Sequence, residues 1–238
     1  MLEAVGLSDP GCVRNNNEDY FICDAESGLF ILADGMGGAH GGEHASRISA
    51  EMLYRFLRQL PGARNIETLE RGFTEANSAV RQAARDNPGL EGMGTTLIAA
   101  RAVGEGHFQI VSVGDSRAYL NSTEGLSLLT RDQTWVAEVG SGLGLSEESL
   151  RKHPYRHVLT MAVGSAEEIR IPSQELHIRT GDQILLCSDG LHGVVDQRIL
   201  QEVLNSPKSL PEKCHYLVEA AKNAGGPDNI TVVLIQAV

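Results

Sequence analysis

The sequence predicts an α+β domain in which helix pairs cover antiparallel sheets. Two features of its 238 residues carry that expectation. Strand-like runs, two long helical stretches, more strands, two shorter helical stretches and a final strand follow one another, without the regular βαβα alternation of a parallel sheet. Both long helical stretches have a single apolar face, which suits the outside of a sheet better than the inside of a bundle.

The elements read in order. Val5 to Asp9 is a short strand closed by the turn pair Pro10-Gly11. Residues 20–23 and 29–33 are strands parted by a polar turn, and a glycine-rich stretch, 35–42, follows. Ala45, Ile48, Met52, Phe56 and Leu60 then recur at helical spacing until Pro61-Gly62. Ile66, Leu69, Phe73, Ala76, Val80 and Ala83 form a second stripe, closed near Pro88-Gly89. Strand character returns over 95–103, 107–113 and 117–120. Residues 132–154 are polar, mixed and partly helical, which suits an insertion. Strands are expected over 158–163, 169–178 and 183–187, helices over 199–204 and 210–221, and a β-branched strand over 230–238.

Composition narrows the function classes. The formal charge is −11, from 20 Lys and Arg against 31 Asp and Glu. That excludes a general binder of nucleic acid or acidic membrane, whose attraction to phosphate backbones is cationic. A phosphorylated substrate stays compatible if bound cations reverse the local field. No basic-plus-apolar leader and no apolar run of about 18 residues is visible, so a cytoplasmic protein with no membrane span is expected. Cys12, Cys23, Cys187 and Cys214 form no C-x-x-C pair and read as reduced core thiols.

The chemistry lies at the strand ends. Apolar runs lead into Asp34-Gly35, into Gly114-Asp115 and into Asp189-Gly190, while Asp228-Asn229 precedes the last strand. If that strand runs antiparallel to the others, four carboxylates meet at one rim. Two unit charges ~4 Å apart repel by ~4 kcal/mol at an effective dielectric of about 20, so such a cluster calls for divalent cations. Oxygen-only ligands favour hard ions such as Mg²⁺ or Mn²⁺ over structural zinc. The glycines after Asp34 and Asp189 let the backbone approach an ion. A single Asp-Gly after a strand is ordinarily only a turn; several at apolar strand edges are less readily so.

The motifs Arg14-Asn15-Asn16-Asn17-Glu18-Asp19, Ala33-Asp34-Gly35-Met36-Gly37-Gly38, Gly94-Thr95-Thr96, Val113-Gly114-Asp115-Ser116-Arg117, Gly181-Asp182, Leu186-Cys187-Ser188-Asp189-Gly190 and Asp228-Asn229-Ile230-Thr231 occur in that order. Together they resemble the metal-dependent protein phosphatases (type 2C, PPM), in the compact bacterial form, over nearly the whole chain. The resemblance implies an α-β-β-α sandwich: two antiparallel sheets flanked by helix pairs, with residues 1–238 as one catalytic domain and 131–164 as a flap beside the cleft. It implies hydrolysis of phosphoserine and phosphothreonine by direct attack of a water that bridges two tightly bound Mn²⁺ or Mg²⁺ ions. Asp34 would bridge the ions, with the Gly35 carbonyl on one and Asp189 and Asp228 on the other. Glu18 and Asp19 would act through water, and Asp115 would serve a third, weaker ion. Phosphorylated proteins would be the substrates, a serine/threonine kinase system the counterpart, and a monomer the working form.

Arg14 is the candidate phosphate clamp, because its planar fork can hold two phosphate oxygens. This chain also departs from the family. Animal members carry histidine after the Asp-Gly, where Met36 stands here; many bacterial members carry it at the position of Ala39, one place before His40. Either His40 reaches the site as general acid, or no histidine serves there. Gln133 and His157 also stand where the family commonly has histidine and asparagine, which bears on substrate preference.

Two other readings compete. His40-Gly41-Gly42-Glu43-His44 matches the H-x-x-E-H pattern of a zinc peptidase, but two central glycines cost about 2 kcal/mol of helix propensity. A non-catalytic phosphoprotein-binding module on the same fold is the third reading, since fold does not give function.

Overall fold

The computed structural model describes residues 1–143, 149, 150 and 153–238, without the side chains of 38–40, 141 and 143. Its strands are β1 (Leu2–Asp9), β2 (Asp19–Asp24), β3 (Leu29–Met36), β4 (Gly94–Thr95), β5 (Leu97–Ala102), β6 (His107–Val113), β7 (Arg117–Ser122), β8 (Gly125–Leu128), β9 (Ser173–His177), β10 (Gln183–Cys187) and β11 (Ile230–Ala237). The helices are α1 (Gly38–Arg58), α2 (Ile66–Asp86), α3 (Trp135–Glu138), α4 (Asp189–His192), α5 (Gln197–Asn205) and α6 (Leu210–Asn223).

One sheet has the order β1-β11-β10-β7-β8 and the other β2-β3-β5-β6-β9, with β4 paired to β3. Every pairing is antiparallel. Three apolar layers follow from strand alternation. Phe30, Leu32, Ile98 and Ile110 of one sheet meet Ile184, Leu186, Val233 and Ile235 of the other. Their odd neighbours Ile31, Ala33, Leu97 and Ala99 face Leu53, Leu57, Phe73 and Val80 of α1 and α2. Leu185, Cys187, Val232 and Leu234 face Leu200, Leu204, Leu217 and Val218 of α5 and α6. This is the α-β-β-α sandwich, and the antiparallel final strand is β11.

Three expectations need correction, and two features are additional. The run 158–163 is no strand: it makes isolated bridges at Thr134–Leu159 and Thr95–Val163, and its apolar residues cap the core or border the cleft. The strand expected over 169–178 starts only at Ser173, because Pro172 has no N–H to give a ladder. The glycine-rich stretch is helical from Gly38 onward, and β8 is an additional strand. Cys12 is exposed, Cys23 partly exposed, and only Cys187 and Cys214 are core thiols.

Gly42 is helical for a packing reason. A Cβ there would stand 2.5 Å from Glu18 Oε2, and one on Gly35 would stand 2.2 Å from the Gly42 carbonyl oxygen. The start of α1 therefore lies directly against the end of β3. Among the described residues no helix is long and apolar enough to cross a membrane.

Candidate metal centre

The two sheets deliver their carboxylates to one end of the sandwich. Asp34 is near the end of β3, Asp115 follows β6, Asp189 opens α4 directly after β10, and Asp228 precedes β11. These four, with Arg14 and Glu18, line a cleft of about 1040 Å³. The four aspartates expected at one rim do meet here, and the tertiary structure adds a distinction among the acidic residues. Asp19 does not line the cleft. It is buried beneath it, paired across the β2–β3 register with Asp34, and accepts a hydrogen bond from Ser188 Oγ at 2.9 Å.

The backbone around Asp34 is clamped. Its N–H donates to Thr96 Oγ1 at 2.9 Å, and its carbonyl accepts from Thr96 N–H at 2.8 Å and Thr95 Oγ1 at 2.9 Å. That gives the Gly94-Thr95-Thr96 motif a structural reason. Gly35 N–H donates to the Glu18 carbonyl at 3.1 Å, which ties the second acidic loop to the first. Asn229 completes the frame: its side chain accepts from Glu18 N–H at 2.8 Å and donates to the carbonyls of Asn16 and Pro10. The sequence showed Asn229 within a motif but not this latch, which joins residues more than 200 positions apart.

The electrostatics are those of crowded acids. Burial first, and then the neighbouring aspartates 19, 189, 115 and 228, push the Asp34 carboxyl well above the usual range. Burial likewise raises Asp19 and Asp189 and brings Asp115 up to about 7. Asp34 and Asp189 both line the cleft, and the charge of Asp189 helps to raise Asp34, a crowding that a proton or a cation relieves.

These residues fit a pair of hard divalent ions. The donors are all oxygens, and Asp19 Oδ1 is buried with no hydrogen-bond partner. Among the described residues no three carboxylate, imidazole or thiol groups already converge as a closed cage, so the fit rests on donor chemistry, burial and that orphan oxygen.

Arg14 stands at the rim with Nη2 2.7 Å from Asp228 Oδ2. His157 enters from the other side, its Nδ1 4.0 Å from Asp189 Oδ2, and Arg156 lines the same wall. Gln133, expected to bear on substrate choice, is instead a brace. It is buried, its Oε1 accepts from Gly114 N–H at 2.8 Å, and its Nε2 donates to the Arg170 carbonyl. Arg117 and Asp132 form a paired fork at 2.7 and 2.9 Å beside it, anchoring the start of segment 131–164. The backbone of His40 lies in the first turn of α1, but its imidazole lies outside the described residues.

Residues 13–226 match the family model described as protein phosphatase 2C. This chain belongs to the protein phosphatase 2C family. Among its relatives is the serine/threonine protein phosphatase PstP of Mycobacterium tuberculosis, 37% identical over 238 residues, which are 100% of this chain and 45% of PstP. The chain thus spans about half the length of that relative. The serine/threonine phosphatase stp of Listeria monocytogenes is 35% identical, with 99% of this chain and 96% of the relative covered. A crystal structure of the PstP catalytic domain in complex with two manganese ions has a TM-score of 0.88 at 35% identity, over 99% of this chain and 97% of that one. For this 2C-family chain, the H-x-x-E-H match is then a stretch of α1, in which Gly42 lies against Gly35 and Glu18 and Gly41 against Met93.

Proposed function

We propose that this chain is a metal-dependent serine/threonine protein phosphatase, a phosphoric monoester hydrolase that holds two Mn²⁺ or Mg²⁺ ions in the aspartate cleft. The observation that carries the reading is the meeting of Asp34, Asp115, Asp189 and Asp228 at one cleft. The relatives' names support the activity.

When bound, the two ions supply positive charge for the transferring phosphoryl group and make water nucleophilic near neutral pH. The chain's residues do the rest. Asp34 lies centrally and would hold both ions, with the Gly35 carbonyl toward one and Asp189 and Asp228 toward the other. Glu18 at the cleft and Asp19 beneath it would act through water, and Asp115 would hold a third, weaker ion. Arg14, paired with Asp228 at the rim, would bind the substrate phosphate with its fork. Cys187, beside the cleft, does not compete as nucleophile: it is fully buried and its thiol is pushed up to about 12. His40 is the candidate proton donor to the leaving alkoxide.

Residues 1–238 act as one catalytic domain, and segment 131–164 is the flap that helps to choose substrates, since Arg156 to Leu159 border the cleft. The substrates are phosphorylated proteins, made by a serine/threonine kinase.

The test is hydrolysis of a phosphothreonine peptide, before and after chelation, with Mn²⁺, Mg²⁺ or Zn²⁺ restored. Activity lost on chelation and regained with Mn²⁺ or Mg²⁺ is expected. No phosphate release with any ion would favour a binding module, and peptide cleavage with Zn²⁺ would favour the peptidase.

A further inference from the structure

The sheet that carries Asp34 has a second polar feature at its opposite end. Arg101, the fifth residue of β5, alternates with Leu97 and Ala99 and so points to the helix-covered face. It is 5% exposed, and its Nη1 is buried with no partner. A buried guanidinium is ordinarily paired with a carboxylate, because desolvating an uncompensated charge is costly. Among the described residues Arg101 has no carboxylate partner.

It lines a cavity of about 370 Å³ beside the C-terminal end of α1, together with Arg58, Arg64, Ser27 and Leu57. Helix polarity accounts for Arg58, which also lies 4.0 Å from Asp24 Oδ2. Arg64 spends one nitrogen on the Val103 carbonyl at 2.8 Å. Among the described residues no carboxylate lines the cavity, and three arginines border a space large enough for a small ligand. Gln109, the register partner of Arg101, has a buried side-chain oxygen that also lacks a partner. The Gln109 Nε2 donates instead to Glu175 Oε1 at 2.7 Å and to the Arg64 carbonyl at 2.8 Å, so that carboxylate is engaged by Gln109. Burial and the charge of Arg64 both push the Arg101 guanidinium below its usual value, the direction that a bound anion would reverse.

We propose that this arginine cavity is a second oxyanion site, which takes a phosphate group and is separate from the aspartate cleft. The two are joined by one strand: Thr96 borders the cleft and Arg101 the cavity. At about 3.3 Å per residue, the intervening strand separates them by roughly 17 Å. In a chain of formal charge −11, the cavity is a local inversion of sign. Planar guanidinium forks suit tetrahedral oxyanions, and the exposed Arg58 and Arg64 give such a ligand a way in. The site does not depend on the catalytic reading.

The experiment is equilibrium dialysis of radiolabelled inorganic phosphate against the Mn²⁺-loaded protein, its Arg101→Met variant and its Arg64→Ala variant. The wild-type protein is expected to bind one equivalent more than Arg101→Met. Arg64→Ala, altered only at an exposed side chain, keeps the fold and is expected to weaken that equivalent about tenfold, as loss of a charge-assisted contact does. Activity in the cleft should stay within about twofold, because distant sites act independently. A non-hydrolysable phosphothreonine peptide added as competitor separates the sources: displacement of the extra equivalent marks peptide-borne phosphate as the ligand, and no displacement marks the free ion. Equal stoichiometry and affinity in wild type and Arg64→Ala would overturn the proposal and leave a cavity that holds only water.

Discussion

Asp19 and Asp34 are direct partners across the β2–β3 register, so two carboxyl groups project from the same face of one sheet. Like charges directly opposite destabilise a sheet, yet both sit where burial adds to the cost. The arrangement makes sense as a ligand frame, and it makes the consequences of losing a charge predictable.

Asp34→Asn should separate function from stability. Phosphatase activity should fall by about a hundredfold or more, as expected for a central ligand. The chelated variant should melt higher than the chelated wild type, by about 1 kcal/mol in stability, because one crowded charge is gone. Peptide hydrolysis and thermal melting of the same samples check both. A fully active Asp34→Asn protein would remove the metal assignment.

Arg14→Ala should raise KM for phosphorylated peptides by about tenfold with a smaller change in kcat. Arg14 is half exposed, so its removal should leave the fold intact. Steady-state kinetics at saturating Mn²⁺ measure this, and unchanged constants would take Arg14 out of the site.

The aspartates set a pH dependence whose sign is fixed. Their folded-state carboxyls lie above the ordinary value, Asp115 at about 7 against 3.8. Between those values the folded chain keeps protons that the unfolded chain has released, so metal-free stability falls as pH rises from about 4 to about 7. His192 runs the other way: burial holds it down to about 4, so its contribution is lost as pH falls through that range from 6.5. Melting curves of the chelated protein and of Asp115→Asn isolate the aspartate part, whose slope should be smaller in the variant. Saturating Mn²⁺ should flatten the wild-type slope. A wild-type slope unaffected by either change would contradict the cluster.

Gly35→Ala should cost about 2–4 kcal/mol, since its Cβ meets backbone oxygens of Gly42 and Glu18 at 2.2 and 2.6 Å and neither can turn away. Gly62→Ala, with nothing within 4 Å, should stay within about 0.5 kcal/mol. Denaturant midpoints compare the two, and equal costs would mean that α1 does not press on β3 as described.

Much of this was legible in the chain. Periodicity located both long helices and the strands at 107–113 and 183–187, because their apolar residues repeat with one period throughout. It failed over 158–163, where apolar residues border a cleft and plug a core edge instead of pairing, and at 38–44, where tertiary contact makes glycine acceptable in a helix. Local pattern also could not show that Gln133 braces Gly114, since that bond depends on how segment 131–164 folds back.

The sequence by itself determined the order of elements, the delivery of Asp34, Asp115, Asp189 and Asp228 to strand ends, and the family motifs, because each is a local property of a few consecutive residues. Only the tertiary structure decided that Asp19 lies beneath the cleft while Glu18 lines it, that Asn229 latches the opening loop, and that Arg101 is buried without a counter-charge among the described residues. Those are relations between residues far apart in the chain, set by strand register and by the packing of helices on sheets, which burial and charge then act upon.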